Sequence, residues 1–239
     1  SSDAGLLLIK EFSAKIGFTQ LIKKKFKTND KSVRFHKDDE NLLQMIYQVI
    51  SAYFQDDHAD ELALDPVFQT ILDKERLASQ PTLSRFFNRM DEDTLIQFDD
   101  IDKNLRDIIY SIKRPEHVLL DLDSTLFGTY GKQEGEGFNF HYQAHGYHPL
   151  LCYDGLTGDL LKAELRNGTL HCSNGADKFM EPIFQEYLER GIKTYLRGDS
   201  GFSSPKLYET CEMNGCSYAI RLKQNPALIA LASDKDEDL

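Results

Sequence analysis

The sequence predicts an α/β protein in which an all-α region precedes a domain built on a mixed β-sheet. Before about residue 113, apolar residues recur at the three- and four-residue spacing of amphipathic helices. From residue 114 onward, short apolar and aromatic runs separated by glycine-rich turns indicate strands. These strands first follow one another directly and then alternate with helical segments, so antiparallel and parallel pairs are expected in one sheet.

Composition limits the classes of protein that the chain can belong to. Its net charge of −11 argues against a uniformly basic nucleic-acid binder. No apolar run approaches the ~18 residues of a membrane span, and no basic segment precedes the apolar Leu6–Ile9 as in a signal peptide. The 4 cysteines lack CxxC spacing, which favours reduced thiols. We therefore expect a cytoplasmic protein without membrane contact.

The first 113 residues predict a series of helices. Gly17 ends the first helix, and a lysine-rich second helix follows it. An acidic start at Asp38 predicts a helix that continues to Phe54. Asp65 followed by proline predicts a cap and first turn. Asp91 is expected to cap a last helix that ends near residue 112.

The segment Leu77–Asn88 permits two interpretations. A polar turn before Thr82, followed by Ser84 and Arg85, is typical of the second helix of a helix-turn-helix. A plain helical bundle explains the same pattern equally well.

The stretch from Glu116 to Thr125 predicts a buried strand that ends in two carboxylates. Side chains alternate along a strand, so Asp121 and Asp123 point to the same face. Two close carboxylates raise each other's pKa unless a cation lies between them, and a divalent-metal site is therefore one interpretation. A strand-end turn capped by aspartate and serine is the alternative.

Two further strands are expected directly after the first. A glycine-rich connection over residues 128–137 predicts a hairpin loop, and the aromatic run from Phe138 to Tyr153 predicts the second strand. The turn at Asp154-Gly155 leads to a third strand from Leu160.

Helices and strands then alternate. Asn174 is expected to cap a helix, and residues 192–197 form a fourth strand. Ser204 and the following proline start another helix before a fifth strand over residues 217–222. Asn225 opens a last short helix.

This order of elements brings two distant carboxylates together. A strand that follows a helical crossover pairs in parallel with an existing strand, and the first strand is the natural partner of the fourth. Parallel strands end at one edge of the sheet, where open α/β sheets bind ligands. Asp123 ends the first strand and Asp199 follows the fourth, so we expect the two carboxylates to be neighbours.

Several motifs, found in this order, resemble the DDE transposases of bacterial insertion sequences, in particular the group of insertion sequence 1380. The motifs are Asp-Leu-Asp-Ser-Thr at 121–125, His-Tyr-Gln at 141–143, Tyr-His-Pro-Leu-Leu at 147–151, Asp-Gly-Leu-Thr-Gly at 154–158 and Leu-Arg-Gly-Asp-Ser-Gly-Phe at 196–202. The resemblance spans nearly the whole chain. It implies a ribonuclease H-like catalytic core at residues 114–239 behind a helical DNA-binding region at residues 1–113.

The resemblance also implies roles for particular residues. Asp123 and Asp199 match the first two catalytic carboxylates and metal ligands, and Asp121 becomes a supporting acid. The implied reaction is strand cleavage at transposon ends followed by strand transfer into target DNA. Two Mg²⁺ ions, or Mn²⁺ in their place, suit carboxylate ligands and phosphodiester chemistry.

A third catalytic acid is implied on a helix after the fifth strand. The chain offers there only the acidic tail residues Asp234, Asp236, Glu237 and Asp238, which follow no matching pattern. We therefore expect the chain to stop before its third carboxylate and to be inactive as it stands.

The implied partner is double-stranded DNA, and family analogy implies a homodimer associated with the bacterial nucleoid. Between residues 23 and 37, Asp30 is the only acid among many cations. We predict DNA-phosphate contacts there and on the later helices, with a solvated helix face as the alternative. The candidates are Lys23, Lys24, Lys25, Lys27, Arg34, Arg85 and Arg89.

Three other interpretations remain open. Residues 121–125 also match the Asp-x-Asp-x-Thr motif of haloacid dehalogenase-like phosphatases, with Asp121 as nucleophile and Asp123 as acid/base. The hairpin strands that follow weigh against it, because that fold requires a helix there. The absent third acid favours a non-catalytic DNA-binding remnant. A zinc site would need one of the residues His141, His145 and His148 to join Cys152 or Cys172, which core packing explains as well.

Overall fold

The computed structural model describes residues 2–223 and 225–233. The chain divides into two compact units, Ser1–Arg114 and Pro115–Leu239. Helices alone form the first unit within the described residues, and a mixed β-sheet with helices forms the second. The predicted fold class is therefore confirmed.

The first unit contains helices α1 to α7. Their bounds are α1 Leu6–Lys15, α2 Phe18–Lys25, α3 Asp38–Ile50, α4 His58–Glu61, α5 Pro66–Leu72, α6 Gln80–Phe87 and α7 Glu92–Ile112. Both predicted caps are present, because the Asp65 carboxylate accepts the N–H groups of Val67 and Phe68 while Asp91 and Thr94 cap each other. Helix α4 was not expected, and α3 ends at Ile50 rather than at Phe54.

The packing of α6 is that of a helical bundle. Its buried Leu83 contacts Ala59 of α4 and Ala78, and its buried Phe86 joins a core with Ile22 and other residues of α2, α3 and α7. Residues 73–79 separate α5 from α6, a connection longer than the roughly three or four residues of a helix-turn-helix. The bundle interpretation therefore describes this segment better.

The second unit is built on a five-stranded sheet. Its elements are β1 His117–Ser124, β2 Phe127–Gly128, β3 Gly137–Asn139, β4 Ala144–Tyr147, β5 Leu150–Asp154, β6 Leu160–Glu164, α8 Ala176–Glu189, β7 Lys193–Gly198, α9 Pro205–Met213, β8 Ser217–Ile220 and α10 Pro226–Ser233. The order in the main sheet is β6-β5-β1-β7-β8. Strand β1 pairs antiparallel with β5 and parallel with β7, as the order of elements in the sequence predicts.

Strand β1 carries a row of buried apolar side chains at the centre of the sheet. Val118, Leu120 and Leu122 are nearly inaccessible to water, whereas residues at the alternate positions of β1 are partly or fully exposed. Buried aromatic residues of α8, including Phe179 and Phe184, add to the same unit's interior. Burial of large side chains of this kind contributes about 1.5–3 kcal/mol each. The alternation fixes which side chains of β1 face outward.

The prediction of one continuous second strand from Phe138 to Tyr153 is wrong. The segment instead forms β3, a turn, β4 and then β5, and the order β2-β4-β3 makes a separate small sheet. Gln143 in the turn has a φ of 54°, and Pro149 between β4 and β5 lacks the N–H that a strand ladder needs. A polar turn and a proline therefore divide what reads as one aromatic strand.

Two smaller differences concern helix starts and the chain end. Gly175, with a φ of 74°, stands at the start of α8 in place of the predicted Asn174 cap. The acidic tail, in which we sought a third carboxylate, lies outside the described residues. Within the described chain, none of the helices has both the length and the apolar character needed to cross a bilayer.

Candidate metal and nucleic-acid site

The parallel pairing of β1 with β7 brings Asp123 and Asp199 to the C-terminal ends of these two neighbouring strands. We call this end of the sheet the carboxylate edge. Leu122 lies opposite Gly198 in the register, so the next residue of each chain segment is an aspartate. Neighbouring strands are about 4.8 Å apart, which places the two backbones close enough for their carboxylates to share one ion. Asp199 keeps extended backbone, with φ −78° and ψ −178°, as it leaves the strand.

Backbone N–H groups hold both carboxylates in place. The Ser124 N–H donates to Asp123 Oδ1 at 2.7 Å, and the Gly201 N–H donates to Asp199 Oδ1 at 2.8 Å. Asp199 thereby also caps the short 3₁₀ turn at 200–202, so part of its role is structural. Within the described residues the second oxygen of each carboxylate accepts no hydrogen bond. Both side chains are exposed, and their free oxygens are open to a ligand.

This donor set suits a hard divalent cation. Mg²⁺ in proteins is commonly held by one or two carboxylates, with waters and substrate phosphates completing its coordination. Two facing carboxylates repel each other, and a cation between them removes that cost. In the part of the chain that the structure describes, no cluster of three or more histidine, cysteine or acidic side chains is arranged to bind a metal. Two aspartates alone would therefore fill only part of a metal ion's coordination shell.

Asp121 is held by an ion pair. Its two carboxylate oxygens accept from Nε and Nη2 of Arg197 at 2.7 and 2.5 Å, across directly opposed positions of β1 and β7. The hydrogen bond and the negative charge of Asp121 raise the pKa of Arg197. Because both oxygens are engaged, Asp121 is poorly placed to be a nucleophile. Strand β1 also leads to short strands rather than to a helix, which removes the basis of the phosphatase interpretation.

A cleft of about 530 Å³ adjoins the carboxylate edge. Its lining includes Asp199 and Ser124, the hairpin tip between β3 and β4, and the segment 168–172. Burial in the first place, and then negative charges that include Asp123 and Asp199, raise the pKa of Tyr142. The phenol therefore lies in the field of both carboxylates.

Residues 166–174 form a strap that supports this cleft. Arg166 is buried, and its Nε donates to the His148 carbonyl at 3.0 Å while Nη1 donates to the Asn174 carbonyl at 2.5 Å. The His148 ring bonds through Nδ1 to the Leu170 carbonyl at 2.8 Å. His148 thus lines the cleft and also anchors the strap.

The zinc interpretation finds no support. Cys152 is fully buried in β5, while His145 is exposed and its Nδ1 lies 2.9 Å from Glu136. Cys172 lies beside Gly201 in the cleft lining, and none of the four cysteines forms a disulfide. Sequence reasoning missed the cleft aromatics Phe140 and Tyr142, because the run that contains them was interpreted as strand.

The cations predicted to contact DNA fall into two groups. Three of them have partners within the chain: Lys25 pairs with Asp100, Arg34 with Asp30 and Arg89 with Asp38. The side chains of Arg89 and Asp38 are only 13% and 12% exposed, so this arginine is a structural residue. The other predicted contacts lie in exposed positions, which are Lys23, Lys24, Lys27 and Arg85.

One protein-family model matches the whole chain. The family model described as transposase DDE domain group 1 matches residues 1–239. No curated protein sequence matches the chain.

Two solved structures resemble this chain at low sequence identity. The chain is 18% identical to piggyBac transposase in a synaptic complex with hairpin DNA, with a TM-score of 0.43 and coverage of 88% of this chain. It spans 48% of the piggyBac chain, about half of that protein's length. The catalytic domain of Mos1 mariner transposase is 13% identical, with a TM-score of 0.32 and coverage of 62% of this chain and 72% of that one.

Proposed function

Because this chain belongs to the family of group 1 transposase DDE domains, we propose that it binds DNA and divalent metal as part of a DNA transposase that cleaves and transfers DNA strands. The observation that carries the proposal is the parallel β1–β7 register, which aligns Asp123 with Asp199. Their free oxygens face water at the strand ends, where phosphodiester oxygens and metal ions can reach them.

The proposed roles follow from position and charge. Asp123 and Asp199 hold Mg²⁺ or Mn²⁺, with Asp121 fixing the alignment of the strands through Arg197. When bound, the metal supplies Lewis-acid activation of phosphodiester oxygens and of the attacking hydroxyl. Lys223 at the cleft lining is placed to contact the phosphate backbone that enters the site.

Mn²⁺ binding tests the proposed site. Asp123→Asn and Asp199→Asn each remove one charged ligand, and we expect either change to weaken Mn²⁺ affinity by about 10-fold, or ~1.4 kcal/mol. Calorimetric titration of wild type and both variants measures this change. Asp159→Asn removes an exposed carboxylate elsewhere in the same unit and serves as the control. Unchanged Mn²⁺ affinity in both site variants would reject the shared site and favour a non-catalytic DNA-binding protein.

The salt dependence of DNA affinity tests the proposed phosphate contacts. Each neutralised phosphate contributes about 0.9 to the slope of log affinity against log salt. We expect substitution of Lys23, Lys24 and Lys27 by glutamine to lower the slope by roughly 2–3. Fluorescence anisotropy at several salt concentrations gives the slope.

A matched variant makes the same change in charge elsewhere in the helical unit. Lys15, Lys103 and Lys113 are exposed and lie outside α2 and the loop after it. Substituting these three by glutamine is expected to leave the slope nearly unchanged. Equal slopes for wild type and both triple variants would remove the lysines of α2 from the proposed DNA interface.

A further inference from the structure

The turn between β3 and β4 presents two aromatic side chains to the cleft. Phe140 is 76% exposed and Tyr142 is 42% exposed, and both line the cleft that contains Asp199. Their contacts with neighbouring rings are edge-to-face, Phe140 with Phe138 at 5.2 Å, and Tyr142 with His141 at 4.8 Å and with His148 at 6.0 Å between centroids. Their positions leave ring surface available to a ligand.

One buried side chain fixes the conformation of this turn. Asn139 is 4% exposed, and its Oδ1 accepts the N–H groups of His141 and Tyr142 at 2.9 and 3.1 Å. Its Nδ2 donates to the Gly168 carbonyl at 2.8 Å, which ties the turn to the strap. The backbone that carries the exposed rings is therefore held in place before any ligand arrives, which lowers the entropic cost of binding.

We propose that Phe140 and Tyr142 stack against an unpaired nucleotide base next to the phosphodiester that Asp123 and Asp199 bind. The inference rests on the proposed function and adds a substrate feature to it. A base within a duplex is covered on both faces by its neighbours, so only an unpaired or extruded base can present a face to these rings. Aromatic stacking accepts any base, which makes the subsite independent of sequence.

The dimensions and charges of the cleft fit such a ligand. A volume of about 530 Å³ lies within the range of pockets that enclose one small molecule, roughly 300–1,000 Å³. Asp199 lies at one side for the metal-bound phosphate, and Lys223 offers a cation for an adjacent phosphate. Histidine and threonine side chains of the lining offer hydrogen bonds to base edges.

Two DNA probes separate stacking from general DNA affinity. One is a blunt duplex, and the other has the same duplex with a four-nucleotide single-stranded 3′ overhang containing 2-aminopurine. We expect the full chain with Mn²⁺ to bind the overhang probe more tightly and to change its 2-aminopurine fluorescence. Phe140→Ala should weaken overhang binding by about 10-fold and leave blunt-duplex affinity unchanged. Because the Phe140 side chain is exposed, the melting temperature of the Phe140→Ala variant should match that of wild type.

Tyr130 provides the control. It is 96% exposed in the same part of the chain and does not line the cleft, so Tyr130→Ala should bind both probes like wild type. Undiminished overhang affinity in Phe140→Ala, or an equal loss in Tyr130→Ala, would overturn the stacking subsite. Failure of the proposed function has a different signature, because Asp123→Asn and Asp199→Asn would then leave Mn²⁺ binding intact. A wild type that binds neither probe would overturn both proposals.

Discussion

Replacing Gly168 with alanine is expected to destabilise the second unit by about 3 kcal/mol. A Cβ at this position would lie closer than 3.0 Å to the carbonyl oxygens of Gly137 and Gly146, in β3 and β4. Both obstacles are backbone atoms of a paired hairpin, so relief requires the strap to move away from the small sheet. That movement also breaks the hydrogen bond from Asn139 to the Gly168 carbonyl. Thermal and denaturant unfolding measure the loss.

The small sheet supplies a matched control for this change. A Cβ at Gly128 in β2 would have no neighbour within 4 Å, and the φ of this glycine lies outside the left-handed region. Gly128→Ala is therefore expected to change stability by less than about 0.5 kcal/mol. If the two alanine variants unfold at the same denaturant concentration, the close packing of the strap against the hairpin does not contribute to stability.

Asp38→Asn is expected to lower the stability of the helical unit by about 3 kcal/mol at neutral pH. Asp38 accepts from Arg89 Nη2 at 2.6 Å and from the Thr28 hydroxyl at 2.5 Å, and the arginine would be left buried without its counter-ion. Arg89 Nε is already buried without a hydrogen-bond partner among the described residues, so the guanidinium has little alternative solvation. Denaturant titration at neutral pH measures the loss.

The same pair predicts a dependence of stability on acid. Burial raises the pKa of Asp38, but the hydrogen bonds from Thr28 and Arg89 and the charge of Arg89 outweigh it, so the pKa is lower than its ordinary value of 3.8. The contribution of Asp38 is therefore complete above the unfolded pKa and is lost as pH falls through the folded one. The difference in unfolding free energy between wild type and Asp38→Asn should be constant near neutral pH and should shrink as pH falls below about 3.9, the pKa of an unfolded aspartate.

An exposed carboxylate in the same unit shows what an ordinary ion pair contributes. Glu11 pairs with Lys15 at 3.3 Å, and their side chains are 65% and 73% exposed. Glu11→Gln should cost at most about 0.5 kcal/mol. A loss in Asp38→Asn no larger than this would show that the Arg89 pair adds nothing beyond a surface contact.

The carboxylate edge could be predicted from sequence because it depends on topology. Parallel pairing after a helical crossover and right-handed connection leave few arrangements, and the one expected is the one found for β1 and β7. Chain order and an apolar run therefore sufficed to bring Asp123 next to Asp199. The pairing of Asp121 with Arg197 could not be predicted in this way, because it depends on which side chain lies opposite Asp121 in the register.

The hairpin and the paired cations could not be predicted in the same way. Aromatic and β-branched residues favour strands but do not say where a strand ends, and here Asn139 forms the turn through its side chain. The pairing of Arg89 with Asp38 joins residues far apart in the chain, and no local pattern reveals it. A charge count therefore overstated how many of the cations remain free for DNA.

The ion pair between Asp121 and Arg197 forms only in the strand register that also aligns Asp123 with Asp199. Each of its members lies two positions before an aspartate of the edge, on directly opposed residues of β1 and β7. A slip of the two strands by one residue would turn one member of the pair to the opposite face and separate Asp123 from Asp199 at the same time. A chain with the wrong strand register therefore loses both the stabilisation from the ion pair and the alignment of Asp123 with Asp199. A chain in which the ion pair forms has these two aspartates aligned.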